Sequence, residues 1–258
     1  MSVAAVTGAL VSHYAGSWMA GLAFAMVAGV LIMMLLALAA LRLRADSFLS
    51  GIALNTFASG ICLLIVKAVL NGRTDSSTAP SVMVPKVRIP LLSDIPVIGK
   101  AIFSQNLLFF IMLAALALLV ILLNCTRLGI QIKTAGYHPE AGESVGISVK
   151  RTRVIALVIC GVMAGLGGAY LSMANLGYFS AGMVSGRGFM GIAAEAMGAG
   201  VPVKAGLFAL LFGAVDYFAV GGQTVLSFPY ELLNTLPYLM TLLTLMIYAI
   251  AHKKKKGY

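Results

Sequence analysis

Run length constrains this chain more than any other feature of its sequence. From Trp18 to Leu41 no side chain is charged, and the same holds for Leu107 to Leu123, Val154 to Ala174 and Leu232 to Ala251. Phe48 to Leu70 is a further run, interrupted only by Lys67 near its end. A helix of roughly 20 apolar residues, rising about 1.5 Å at each, crosses the ~30 Å hydrocarbon core of a bilayer. Lipid offers the backbone no hydrogen-bond partners, so each run must satisfy its own N–H and C=O groups as a helix. Apolarity at successive rather than alternate positions excludes the strands of a membrane barrel. Composition agrees, with 60% of the 258 residues hydrophobic and 10% charged, where a soluble domain carries about a quarter. The expected fold is an all-α integral membrane protein, a polytopic helical bundle forming a single domain over residues 1–258.

Two shorter apolar runs, Phe189–Val201 and Ala205–Val220, split at Pro202 and Lys204, bring the span count to about seven. Val3–Val11 is short for a span and reads as a truncated or re-entrant helix, broken by the small residues between Ser12 and Ser17. It leaves room for an eighth crossing. The connection Asn71–Asn106 holds Pro80, Pro85, Pro90 and Pro96, four of the chain's eight prolines, which argues against one continuous helix there. Within it, Ile89–Ile102 reads as a segment lying along the membrane surface.

The net charge of +10 is placed where cytoplasmic loops and helix ends carry cations. Lys253 to Lys256 set the C-terminus inside. Counting back puts Pro202–Lys204 inside, Gly177–Gly188 outside, Thr126–Arg153 inside, Asn71–Asn106 outside and Arg42/Arg44 inside. The inner loop Thr126–Arg153 holds Arg127, Lys133, Lys150, Arg151 and Arg153, as the rule demands, while the outer connection also carries Arg73, Lys86, Arg88 and Lys100. These cations are suited to anionic lipid, and no nucleic-acid-binding motif accompanies them. Cys62, Cys125 and Cys160 lack CxxC spacing, and His13, His138 and His252 lack metal-ligand spacing, so neither a disulfide nor a metal site is expected. Neither a phosphate-binding GxxxxGK[ST] loop nor a nucleophile elbow or HExxH is present.

Inside the inner loop, Pro139 suits the first turn of a helix. Glu140 and Glu143 sit near the end where carboxylates are favoured, and Gly146 supplies a left-handed stop. A short exposed helix, His138 to Val145, is therefore expected to project into the cytoplasm, with His138, Pro139, Glu140, Ala141, Glu143 and Gly146 as its defining residues. Gly161, Gly165 and Gly168 recur at i, i+4 and i+7 and line one helix face for close packing. Ionisable and amide groups at membrane depth point to a cavity or a partner, which singles out Asn55, Glu195 and Asp216 as candidates for a translocation path. Asn55 suits either a polar solute or an interhelical hydrogen bond. Glu195 has three readings: lining the path, pairing with Lys204 across the turn, or being held protonated by burial. Asp216 is too far along its helix to reach Lys204 and is expected to pair with a neighbouring helix. Lys67 is read as snorkelling to the interface, and Arg187 as a helix-end anchor or a receptor contact.

The inner loop, TRLGIQIKTAGYHPEAGESVGISVKRTR (Thr126–Arg153), resembles the coupling segment of ABC importer permeases related to the branched-chain amino acid and ribose permeases. GVMAGLGGAYLSM (Gly161–Met173), GRGFMGIAAEAMG (Gly186–Gly198), LLFGAVDYFA (Leu210–Ala219) and PYELLNTLPYLMTLL (Pro229–Leu243) agree with the same family, from roughly Arg42 to the end. RADSFLSGIALN (Arg44–Asn55) and IPLLSDIPVIGKAIFSQN (Ile89–Asn106) look most like members that import nucleosides with a surface lipoprotein receptor. The resemblance implies a type II-like permease of the bacterial cytoplasmic (inner) membrane. It also implies that the chain is not itself an enzyme and binds no cofactor. Its expected partners are a second permease chain (the same or different), an ABC ATPase that holds ATP and Mg on its own subunit, and an extracytoplasmic solute-binding protein or lipoprotein. Branched-chain amino acids and pentoses such as ribose stay open as solutes, and an ATP-independent carrier or channel is the alternative class. Two departures stand out. A Gly/Glu-containing helix that the family carries near the start of its fold has no counterpart here, and Glu195 stands where an apolar residue is expected.

Overall fold

The computed structural model describes residues 1–85, 105–184, 186–225 and 246, with side chains up to residue 217 in the last long stretch. Among the described residues the regular structure is helical, and four helices are long and apolar enough to cross a membrane. The expected span Leu232–Ala251, apart from Met246, and the segment Ile89–Ile102 lie outside the described residues. The chain divides into two compact units, Met1–Val184 and Ser185–Tyr258.

In the first unit α1 (Ser2–Ala15) and α2 (Trp18–Ala37) meet at Gly16, whose φ of 62° ends α1. The break therefore falls later than expected. Ser12 does not interrupt α1, because its hydroxyl donates back to the Ala9 carbonyl at 2.9 Å and leaves no polar group unpaired. A π-turn, Leu38–Arg42, extends α2. The third helix, α3 (Ser47–Val69), starts where Asp46 Oδ1 accepts the Phe48 and Leu49 N–H groups, both at 2.9 Å. Next come α4 (Leu107–Cys125), α5 (Arg127–Tyr137), α6 (Pro139–Ser144) and α7 (Val149–Ala169), which runs on into a second π-turn, Tyr170–Asn175.

A seam of small residues holds α1, α2 and α7 together. A Cβ added to Gly165 would stand 2.6 Å from Met26 Cα, one on Gly161 2.7 Å from Val30 Cα, and one on Gly168 2.5 Å from the Met1 carbonyl. Gly29 meets the Gly161 backbone from the other side, and a Cβ on Gly21 would reach the Gly8 carbonyl at 2.7 Å. Backbones approach this closely only where side chains are absent, which is how helices associate when lipid removes the hydrophobic drive between them. Consequently α1 is no peripheral stub. Its residues Ala4, Ala5, Val6 and Ala9 are fully buried, against Ala25, Ala169 and Met173 on one side and Cys62, Val66 and Phe179 on the other. At 14 residues it spans about 21 Å, and its last turn, His13 to Ala15, is exposed.

The far end of α7 shows how a proline-bearing connection becomes structural. Helix C-termini leave carbonyls without intrahelical donors. Here the Ser172, Met173 and Ala174 carbonyls accept from Ser81 Oγ (2.9 Å), the Val84 N–H (3.3 Å) and Asn106 Nδ2 (2.7 Å). Residues 76–85 thus run as an extended strap over the helix end. Further bonds join the Ser76 N–H to the Phe179 carbonyl (2.8 Å), the Ser81 N–H to the Gly177 carbonyl (2.8 Å), and His13 Nδ1 to the Pro80 carbonyl (2.9 Å).

The basic connection between α4 and α7 departs most from expectation. Thr126–Arg153, read as a polar connection with one short helix, is helical over most of its length. Thr126 Oγ1 accepts the Gly129 N–H at 3.2 Å and so starts α5 directly after α4. A side chain on Gly129 would collide with the Leu122 and Leu123 carbonyls, so this corner can be turned only by glycine. In the second unit α8 (Arg187–Gly198) and α9 (Pro202–Val225) form a hairpin. The turn is made by Ala199 and Gly200, both at positive φ, so Pro202 opens α9 where a break was expected at Pro202–Lys204. Ala194, Met197 and Phe212 pack between the two helices.

The seam makes opposite predictions for one chemical change at two sites. Gly165→Ala should destabilise the detergent-purified protein by about 1–3 kcal/mol through overpacking against the Met26 backbone. Gly60→Ala, where the added methyl meets open space, should be neutral or stabilising by up to about 1 kcal/mol. Thermal unfolding followed by fluorescence distinguishes them, and equal shifts would contradict the close approach.

Candidate functional site

Helix α6 is built by its two ends. His138, at φ −141° and ψ 74°, serves both neighbours: its N–H donates to the Thr134 carbonyl at 2.9 Å, closing α5, and its carbonyl accepts the Gly142 N–H at 3.0 Å, opening α6. Pro139 occupies the first turn with Glu140 beside it. At the other end Gly146, at φ 80°, donates its N–H to the Glu143 carbonyl (3.0 Å) and Ile147 donates to the Gly142 carbonyl (2.9 Å). This pair of bonds is the Schellman motif. The helix covers Pro139–Ser144, one residue shorter at each end than the expected His138–Val145.

Gly142 is the foot of α6. It is buried, and an added Cβ would stand 3.2 Å from Thr134 Cγ2 of α5 and 3.7 Å from Val149 Cγ2 of α7. Its outward face carries Glu140, Ala141 and Glu143, all exposed. Tyr137 (66% exposed) and Val145 (74% exposed) flank the two carboxylates, and the sequence reading did not assign them to the site. Their signal was there to read, as large apolar side chains bracketing a short polar helix. The platform beneath is tied down: Arg153 Nη2 donates to the Ala135 carbonyl at 3.3 Å, and Lys133 Nζ to Asn124 Oδ1 at 2.9 Å. The result is a small acidic and apolar knob on a stiff base between two long apolar helices. It offers protein-docking chemistry, exposed apolar contacts with a charged rim.

The membrane-depth candidates are placed differently from one another. Asn55 lies on the exposed side of α3, and among the described residues its side chain makes no interhelical hydrogen bond; its carbonyl accepts Ser59 Oγ at 2.9 Å. Asp216 of α9 pairs with Arg187 of α8 at 2.9 Å, with the side chains 25% and 35% exposed. Arg187, read as an end anchor or a receptor contact, is thus the helix-end partner of a buried-side carboxylate. Glu195 is exposed, which removes the burial reading, and no ion pair joins it to Lys204 among the described residues. Gly161, Gly165 and Gly168 line the α7 face against α1 and α2. Asn55 belongs to the first unit and Glu195 and Asp216 to the second. No group of three metal-ligating side chains occurs among the described residues.

Comparison with known proteins adds a lineage to this geometry. The sequence profile described as branched-chain amino acid transport system / permease component matches residues 1–250. A guanosine ABC transporter permease protein (NupQ) of Bacillus subtilis is 35% identical over 237 residues, covering 90% of this chain and 73% of that protein. A nucleoside ABC transporter permease protein (NupC) of Lactococcus lactis is 34% identical over 239 residues, covering 89% and 74%. A putative glucose ABC transporter permease protein (TsgC13) of Haloferax volcanii is 25% identical, covering 87% and 68%. No solved structure matches the chain.

The Arg187–Asp216 pair is testable by a double-mutant cycle. With Arg187→Gln, Asp216→Asn and both together, the coupling energy from thermal unfolding should be about 0.5–3 kcal/mol, the double variant being less unstable than the sum of the singles. Strict additivity would mean that the pair does not hold α8 to α9.

Proposed function

We propose, for a chain that belongs to the permease-component family of branched-chain amino acid transport systems, the role of transmembrane subunit of an ABC importer whose solute is a nucleoside. The observation that carries this reading is α6: a short, rigidly seated helix with exposed Glu140 and Glu143, flanked by exposed Tyr137 and Val145 and held between α5 and α7. Such a knob gives a separate ATPase something to push. Gly142 seats it directly on α5 and α7, so a displacement is passed to the spans without a flexible linker. ATP and Mg belong to that partner, since no phosphate-binding loop occurs in this sequence.

The rest of the assembly follows from the same reading. A second permease chain lies against this one, the same or a relative, and an extracytoplasmic receptor delivers solute. The bundle has about seven spans in one domain, with the lysine tail in the cytoplasm of a bacterial inner membrane. Asn55, Glu195 and Asp216 are the proposed path residues. An exposed amide at membrane depth is costly against lipid, so Asn55 is better accounted for on a water-filled path, where its donors and acceptor suit a base or ribose. The nucleoside assignment is supported by the two relatives named for guanosine and nucleosides.

Uptake of labelled adenosine, ribose and leucine in cells with and without this chain tests the solute: only adenosine uptake should fall, and loss of leucine uptake alone would overturn the assignment. Charge reversal at α6, Glu140→Lys with Glu143→Lys, should reduce co-purification of the ATPase and uptake by at least about tenfold, in line with the few kcal/mol that like-charge juxtaposition costs at an interface. Full retention of both would remove α6 from the coupling role.

A further inference from the structure

Beyond the coupling helix, the same end of the first unit carries a second constructed feature. The small-residue seam between α2 and α7 ends at Gly29 and Gly161. Past that point neither helix has a glycine: α2 and its π-turn continue with Met34, Leu38 and Leu41, and α7 begins with Lys150, Arg151 and Val154. Larger side chains replace glycine there, and a cleft of about 490 Å³ is lined by both helices. Met34, Ala37, Leu38, Leu41 and Val154 form its apolar walls, and Arg42, Arg44, Lys150 and Arg151 stand at it.

Four cations meet at this cleft, and no carboxylate lines it. None of the four takes part in an ion pair among the described residues. Asp46, two residues beyond Arg44 in sequence, is already committed, accepting the Phe48 and Leu49 N–H groups. Mutual repulsion of like charges disfavours such a cluster unless an anion shares it. Arg44 also sits at φ 56°, a left-handed conformation that costs a non-glycine residue stability, and the turn is held there by the Ala45 N–H bonded to the Ala39 carbonyl at 3.1 Å. Strain of this kind persists where the surrounding structure over-determines it.

We propose that this cleft is a binding site for an anionic phospholipid, with the phosphodiester headgroup among Arg42, Arg44, Lys150 and Arg151 and an acyl chain along Met34, Leu38, Leu41 and Val154. Free phosphate would use the cations alone and leave the apolar walls without a role. A phospholipid uses both, and the cleft lies where apolar helices give way to basic residues, the depth at which lipid phosphates sit. Such a lipid would hold the α2 end and the α7 start together, at the platform from which α6 projects.

The test is lipid retention by the full-length, detergent-purified chain, read by native mass spectrometry during titration with phosphatidylglycerol, phosphatidylcholine or inorganic phosphate. The wild type should retain phosphatidylglycerol in preference to phosphatidylcholine, and millimolar phosphate should not displace it. Arg42→Gln with Lys150→Gln should weaken that retention more than tenfold, at about fivefold for each cation removed. Arg42→Lys with Arg151→Lys, which keeps the charge, should retain it. Replacing Lys253 to Lys256 by Gln removes twice as many cations elsewhere and should leave it unchanged. Equal loss in the tail variant would reduce the effect to net charge and overturn the site, as would displacement by phosphate or no preference over phosphatidylcholine. Because the readout involves neither solute nor ATPase, its failure is separable from failure of the transport assignment.

Discussion

Backbone-to-backbone contact along the α1–α2–α7 seam is the interaction on which the first unit rests. Gly21 and Gly29 on α2, with Gly161, Gly165 and Gly168 on α7, bring main chains to distances that no side chain could share. Dispersion and close fit replace the hydrophobic effect when the surroundings are hydrocarbon. From that contact the position of α1 follows, because Gly21 admits the Gly8 carbonyl against α2 and Gly168 admits Met1 and Ala4 against α7. The cleft lies beyond the last glycines of that seam, Gly29 and Gly161.

Burial is distributed unevenly over the long helices. Over their most apolar 18 residues, α7 with its π-turn is 39% buried and α4 only 6% buried among the described residues. The polar ends are managed differently. The α7 C-terminus is capped by the strap at residues 76–85, and the connection Thr126–Arg153 folds into α5 and α6 instead of remaining loop, so backbone groups at these helix ends are satisfied by protein.

Much of the candidate site was legible because its signals are local. Pro139, the first-turn Glu140 and the left-handed Gly146 specify where α6 starts and stops within a handful of residues, and the structure moved those limits by one residue. The extent of α5 was not legible, since RLGIQIKTAGY reads as a basic loop until Thr126 caps it and Ala135 is buried against its neighbours. Glu195 illustrates the opposite failure. A carboxylate within an apolar run left path lining, Lys204 or burial open, and its exposed side removes the burial reading alone, because which side of a helix meets a neighbour depends on packing that run length does not encode.

By itself the sequence determined the membrane class, the approximate limits of the long apolar helices, the charge asymmetry of their ends and the caps of α6. Each of these depends on the length of a run or on residues a few positions apart. Only the tertiary structure decided that α1 is central, that residues 76–85 cap α7, that Asp216 takes Arg187, and that four cations share a cleft with an apolar wall. Those outcomes depend on which faces of distant segments meet, and in lipid that choice is made by close fit between backbones, a property of pairs of helices that neither helix carries alone.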